Sequence, residues 1–153
     1  MKYKKTIIII GVVIIAGFLL FKKDIWVKNE ELLREQVLSI GQSVETINLT
    51  DVTPFKWDTA YSFSPYTPKK EIYETVGYKW DRIRETVSED MNQIVFLKDG
   101  KVVCYVYGHP TNIGYSIYYS GETLSERAPV LKVSDDLTFQ VKREDGVVSL
   151  IKY

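Results

Sequence analysis

The chain has 153 residues, 45% of them hydrophobic and 26% charged, with 20 basic against 20 acidic side chains and no formal net charge. Five of the 20 basic residues, Lys2, Lys4, Lys5, Lys22 and Lys23, precede the first acid at Asp24, which leaves the rest of the chain near −5. Such a length suits one domain with a short appendage. The mildly acidic remainder argues against nucleic acid, which calls for clustered Lys and Arg on one face. It also argues against a second, electrostatic contact with a membrane.

Residues 7–21 read IIIIGVVIIAGFLLF, and Thr6 extends the run. As a helix this segment spans roughly 24 Å, somewhat short of a ~30 Å hydrocarbon core. Lys4, Lys5, Lys22 and Lys23 are placed to snorkel toward the headgroups, with Tyr3 and Trp26 at the two interfaces. A cleaved signal peptide would end in a small-residue site before a polar turn. This run ends in Leu-Leu-Phe-Lys-Lys, and no Cys follows that could carry a lipid. The expected organisation is a basic tail over 1–5, a transmembrane anchor over 6–23, a linker over 24–28 and one domain over 29–153. The short basic tail places that domain outside the cytoplasm. The sequon Asn48-Leu49-Thr50 is read as a chance occurrence.

Residues 29–41 are expected to be helical, with Asn29 as the N-cap and Gly41 as the stop, and Leu33, Val37, Ile40 and, beyond it, Val44 recur on one apolar stripe. A strand is expected over 45–50. Trp57, Thr59, Tyr61 and Phe63 then alternate with Asp58, Ala60, Ser62 and Ser64, a period of two that predicts a strand with one aromatic face. Pro65 ends it. Thr67 fits an N-cap, Pro68 the first helical position and Gly77 the C′ position of a short helix. Trp80, Ile83 and Val87 predict a second one. The C-terminal half reads as two hairpins, turning at Asp99-Gly100 and Asp145-Gly146. Val102 to Val106 are apolar on both faces, which predicts a central strand. A further strand is expected over 115–119. The expected fold is α+β: a transmembrane helix, then one antiparallel sheet of five to seven strands with two or three helices packed on one face.

The chemical inventory is sparse. Cys104 is the only cysteine and His109 the only histidine, so neither a disulfide nor a zinc site of the usual donors can be assembled. Cys104 lies in an apolar strand, where a free thiol acts as a small hydrophobe, and the five residues to His109 turn the two to opposite faces. No GxxxxGK[ST] loop is present. Asp135-Asp136 and Glu89-Asp90 read as turn or capping groups. No cofactor and no metal is expected. What packing does not need is Asp58 on the polar face, Tyr66 in its turn, and Tyr107, His109, Tyr115, Tyr118 and Tyr119 around the 109–114 loop. Exposed tyrosines are typical partner contacts.

The stretch WDTAYSFSPYTPKKEIYETVG, followed by NQIVFLKDGKVV, resembles a set of small bacterial proteins. These carry a lipoprotein signal or a single membrane helix ahead of W-D-x-x-Y-x-F-x-P-Y-T-P. The resemblance covers residues 55–107. It implies membrane anchoring and this fold, and supplies no catalytic residue. Without a lipid-bearing Cys, only the transmembrane form of anchoring applies here. The expected function is a single-pass, membrane-anchored binding domain outside the cytoplasm, non-catalytic, with a protein or cell-envelope partner. An envelope hydrolase or transferase using carboxylates, and a small immunity or exclusion protein, are the alternatives.

Overall fold

Two Asp-Gly turns organise the strands, as their sequences predict. Asp99 and Gly100 have φ of 49° and 70°, and Asp145 and Gly146 have 49° and 79°. Both central residues of each turn thus occupy the left-handed region that a type I′ hairpin requires. The first turn joins β3 (Asn92–Lys98) to β4 (Lys101–Gly108), and the second joins β7 (Thr138–Glu144) to β8 (Val147–Lys152). In the structure, a computed structural model, residues 23–120 and 128–153 are described. All but the last residue of the expected 6–23 anchor lie outside that range. Among the described residues no helix is long and apolar enough to cross a membrane.

The fold is α+β, but the strands form two sheets of four rather than the single sheet expected. In one, β2 (Thr59–Ser62) pairs with β3 and with β6 (Val130–Lys132), giving the antiparallel order β4-β3-β2-β6. In the other, β1 (Thr46–Asn48) pairs with β7, and β5 (Tyr115–Tyr119) lies parallel to β8, giving the order β1-β7-β8-β5. Strand and turn chemistry are local, whereas the choice of partner strand is not. The chain changes sheets between β4 and β5 through the short helix α4 (Pro110–Ile113), which ends at Gly114 with φ 86°. A Cβ at Gly114 would also stand 3.2 Å from Leu38 Cδ2.

The sheets pack face to face. Ile94, Phe96, Cys104 and Val106 of one meet Ile117, Phe139, Val141 and Leu150 of the other. The far face of the first sheet, with Val95, Leu97, Val102 and Tyr105, is covered by Ile72 and Val76 of α3 (Lys69–Val76) and by Ile83. Strands buried on both sides read as continuous apolar runs, and six of the seven residues of β3 are buried. In β7 the expected alternation holds, with Phe139 and Val141 buried and Thr138, Gln140 and Lys142 exposed. Gly77 caps α3 with φ 90°, and its amide donates to Tyr73 O. The start of α3 lies one residue later than expected. Pro68 is the cap residue, Lys69 N donates to Glu85 Oε1, and the Thr67 hydroxyl donates to Ser64 O instead.

β4 stands at the margin of its sheet, not at its centre. The helix α1 (Ile25–Leu38) packs along it, while the second sheet covers Cys104 and Val106 and α3 with Ile83 covers Val102 and Tyr105, so the strand is apolar on both faces without being central. The helix begins at Ile25 behind Asp24, so the expected 24–28 linker is already its first turn. Asn29 is therefore interior rather than capping, 5% exposed. Its Nδ2 donates to Val103 O at 2.8 Å. Val103 is the extra residue of a bulge, since Phe96 pairs with Cys104 while Leu97 pairs with Val102. A bulge leaves a residue outside the ladder, and Asn29 supplies the partner its carbonyl needs.

Trp26, expected at a membrane interface, packs edge-on against Trp80 with centroids 5.3 Å apart. Two further expectations are corrected. The segment from Trp80 to Val87 is irregular beyond a turn at Trp80–Ile83, and Val87 is 75% exposed. Side chains take the place of helical bonds there: Arg84 N donates to Tyr105 Oη, and Gln93 Nε2 donates to Arg84 O. The aromatic face also splits. Trp57 enters the inter-sheet core with Ala60, while Phe63 and Tyr61 face α3. β2 begins only at Thr59, and the irregular step at Asp58 shifts the phase.

Replacing Asn29 with Ala strands the Val103 carbonyl in the interior. The expected loss is about 1–3 kcal/mol of stability. It would be read as a lower urea midpoint at unchanged slope, and Asn29→Asp, which brings no N–H donor, should cost at least as much.

Candidate functional site

The residues singled out from sequence fall into different environments. Asp58 accepts from Lys98 Nζ and from Asp99 N, both at 2.7 Å. It braces the β3–β4 turn from the neighbouring strand. The Asp99 amide first, and then Lys98, hold its carboxyl below the usual range, and Lys98 is raised in return. Tyr66 is 56% exposed with φ 64°, and its amide donates to Thr86 Oγ1 at 2.7 Å. Tyr107 is half-buried. Its hydroxyl donates to Glu85 O at 2.9 Å, and the Arg84 guanidinium stands 5.0 Å from its ring centroid. His109 sits at the cap position of α4, where its carbonyl accepts from the amides of Asn112 and Ile113.

Tyr115 and Tyr119 are not the exposed contact residues expected. They are 0% and 7% exposed, because alternation along β5 turns Tyr115, Ile117 and Tyr119 into the core. Tyr115 Oη donates to Glu30 Oε1 at 3.3 Å, and Tyr119 Oη to Ala60 O at 2.9 Å. Burial pushes both phenols up. Tyr118 faces the other way and is 44% exposed; partial burial and nearby Asp90 raise its phenol too. Tyr107 and His109 lie at the Asn92 end of β3, and Asp58 at its Lys98 end. Six residues of strand place them about 20 Å apart. These residues do not form one site.

The reactive groups have structural partners. Cys104 is 0% exposed, and burial pushes its thiol well up, as for a thiol packed in an apolar strand. Asp135 Oδ2 accepts from Lys132 N, and Asp136 Oδ1 from Thr138 N, both as turn caps. Asp136 also pairs with Lys152 at 3.2 Å. Glu30 is partly buried beside Tyr115, and desolvation raises its carboxyl. Among the described residues no group of three or more His, Cys, Asp or Glu could hold a metal ion.

A groove of about 300 Å³ opens at the Lys98 end of β3, near the lower end of the range for ligand pockets. One wall is α2 (Leu49–Val52) and the residue that follows it, Thr53. Asn48 caps this helix, its Oδ1 accepting from Thr50 N at 3.0 Å. The Thr53 hydroxyl donates to Leu49 O and accepts from Trp57 Nε1, each at 3.0 Å. Phe55 and Trp57 form the floor, both edge-on to Phe96 at 5.8 and 5.4 Å. Lys56, Lys98 and Val133 complete the lining. Val133 N donates to Asp58 O, which ties that rim to β2. Lys98 is oriented by Asp58, while Lys56 is exposed and makes no ion pair among the described residues. The result is a rigid aromatic floor with two ammonium groups at its sides. Sequence reading found Asp58 and Trp57 but assigned Trp57 to a strand and passed over Phe55 and Lys56. The signal available was Pro54-Phe55-Lys56-Trp57, two aromatics flanking a Lys directly after a Pro.

Comparison with known proteins finds no matching family model, no matching curated protein and no matching solved structure.

Asp58 has a depressed folded-state pKa, so its stabilisation is present above the unfolded value and lost as pH falls through the folded one. Asp58→Asn, which imitates the protonated acid, should unfold at lower urea than the native chain at pH 7. The gap should close as pH drops below about 4. A gap that persists at the lowest pH would mean that the Asp58 contacts do not depend on its charge.

Proposed function

We propose that this chain is a membrane-tethered binding module, anchored through residues 6–23 with its α+β domain outside the cytoplasm. Its partner is held in the groove between α2 and the β3–β4 turn. The observation that carries this reading is the groove itself: Phe55 and Trp57 are locked from below by Phe96 and Thr53, and Lys56 and Lys98 stand beside them. Half-buried Phe55 offers pre-organised contact area at little entropic cost, with Trp57, 4% exposed, packed beside it in the core. Lys56, which makes no ion pair among the described residues, selects a group that presents a carboxylate or phosphate next to an apolar or ring portion, as an acidic partner segment or an envelope constituent does, while Lys98 is already held by Asp58 at 2.7 Å and Asp99 at 3.4 Å. Binding rather than catalysis is favoured because Cys104 is shut in the core and Asp58, Asp135 and Asp136 accept backbone amides. The run at residues 7–21 and the resemblance of residues 55–107 to membrane-anchored proteins support the tether.

Two measurements on the full chain test this. Protease added to intact cells should digest the domain. Crosslinking followed by recovery from detergent should capture a partner with the native chain and several-fold less with Lys56→Glu. Protection of the domain until lysis would reverse the orientation. Equal capture by both chains would remove the groove as the binding surface.

A further inference from the structure

We propose that the face of the domain around the start of α1 lies on anionic lipid headgroups, so that the module is held flat on the bilayer rather than free on its tether. This rests on the reading of residues 6–23 as a membrane anchor. Only Asp24 separates that segment from the first helical residue, Ile25. From Lys22 to Trp26 the chain can span at most about 14 Å, so whatever Trp26 packs against is kept near the membrane surface.

What it packs against is fixed. Trp26 meets Trp80 at 5.3 Å and Tyr105 at 6.4 Å, and Trp80 meets Tyr105 at 5.4 Å. This aromatic knot joins the start of α1 to the segment Tyr78–Arg84, which reads YKWDRIR. Lys79, Arg82 and Arg84 of that segment are exposed, as are Lys23 and Lys28 before and within α1 and Lys101 of β4. Lys101 Nζ stands 5.0 Å from the Tyr78 ring centroid and the Arg84 guanidinium 5.0 Å from that of Tyr107. Both cations thus lie over aromatic rings that cover the sheet. Against these six cations stand four acids, Asp24, Glu31, Asp81 and Glu85. Arg82 is 4.0 Å from Asp24 and Lys23 is 2.6 Å from Glu31, which leaves Lys28, Lys79, Arg84 and Lys101 against Asp81 and Glu85 to set the sign of the face. Glu85 is turned to the amide of Lys69. The net charge near −5 of the chain after Lys23 is therefore carried elsewhere, and the expectation that the domain makes no electrostatic contact with a membrane is revised for this face.

The chemistry matches an interface. Half-buried Trp26 and Trp80 supply the amphipathic rings favoured at headgroup depth, and Ile25, 57% exposed, adds an apolar side chain at the point of entry. Lys and Arg next to a membrane segment are drawn to anionic lipid, an attraction that falls off within a Debye length of about 10 Å at 0.1 M salt.

The test uses the full chain reconstituted in vesicles of phosphatidylcholine alone or mixed with phosphatidylglycerol. Amide exchange over residues 78–84 should slow several-fold in the mixed vesicles at low salt. The effect should vanish at 1 M salt and in the triple variant Lys79→Gln/Arg82→Gln/Arg84→Gln. Exchange over β3 serves as the control that the variant is folded; should it fail, Lys79→Gln/Lys101→Gln takes its place. Equal exchange in the two lipids, or a difference that survives neutralisation, overturns the proposal. Equal protection by soluble polyphosphate in phosphatidylcholine vesicles would assign the face to a dissolved anion and overturn it as well. Flotation of the chain with phosphatidylcholine vesicles after an alkaline wash reports the tether alone. Failure there defeats the anchor; flotation without the lipid-dependent protection defeats only the docking face.

Discussion

The β3–β4 hairpin has no polar face, and the rest of the domain answers that constraint. Ile94, Phe96, Cys104 and Val106 must be covered on one side, and Val95, Leu97, Val102 and Tyr105 on the other. A second sheet closes the first side. α3 and the 77–91 segment close the other, and α1 lies along the remaining margin. The arrangement is three layers around one doubly buried sheet, an accepted solution for elements that must hide apolar surface. Its weak point is the margin, where unpaired strand groups invite pairing with other chains. Asn29 meets the one carbonyl that the Val103 bulge turns outward, so the bulge and the helix are a single device.

That arrangement also explains why ring contacts gather beside α1. The 77–91 segment has few backbone partners of its own. Tyr105 and Gln93 supply side-chain bonds to Arg84, Tyr78 Oη accepts from Val102 N, and Tyr107 Oη donates to Glu85 O. Trp80 then needs a neighbour above it, which Trp26 provides. Trp26 is thus a packing residue of the domain, and through it the start of α1 is tied to the 77–91 segment.

Elements whose signal is local could be read from the sequence. The two Asp-Gly turns, the glycine stop at Gly77, the α1 stripe of Leu33 and Val37, and β5 all follow from a few adjacent residues. What depended on distant residues could not. Nothing near Tyr115 indicates that it lies parallel to Val148 in a second sheet, and so nothing told the inward tyrosines of β5 from outward Tyr118. The phase change at Asp58 arises because Asp58 N donates to Leu97 O just ahead of the regular strand. A period-two count cannot see that bond. The groove was partly legible for the same reason. Phe55, Lys56 and Trp57 are adjacent in sequence, but Lys98 and Val133 reach it only through the pairing of β2 with β3 and the bond from Val133 N to Asp58 O. Asp58 was found and its role misjudged, because the partner amide at Asp99 is 41 residues away.

Net charge is a coarse guide for a related reason. A sum over the chain discards position, and an acidic total is compatible with a basic face when the fold collects Lys and Arg from separate segments. Here Lys23 and Lys28, then Lys79, Arg82 and Arg84, then Lys101 come from three stretches of chain. The Trp26–Trp80 contact ties the start of α1 to the 78–84 segment, and ring contacts hold Arg84 over Tyr107 and Lys101 over Tyr78. The groove draws its two lysines in the same way, from the turn before β2 and the end of β3. In both places aromatic rings are held by the core and cations stand over or beside them. That geometry follows from covering a doubly apolar sheet with Trp, Tyr and Phe: large rings leave edges and faces at the surface, and these attract ammonium and guanidinium groups. Packing the hairpin thus placed positive charge at two points of an otherwise acidic domain, and the two candidate surfaces are consequences of one folding requirement.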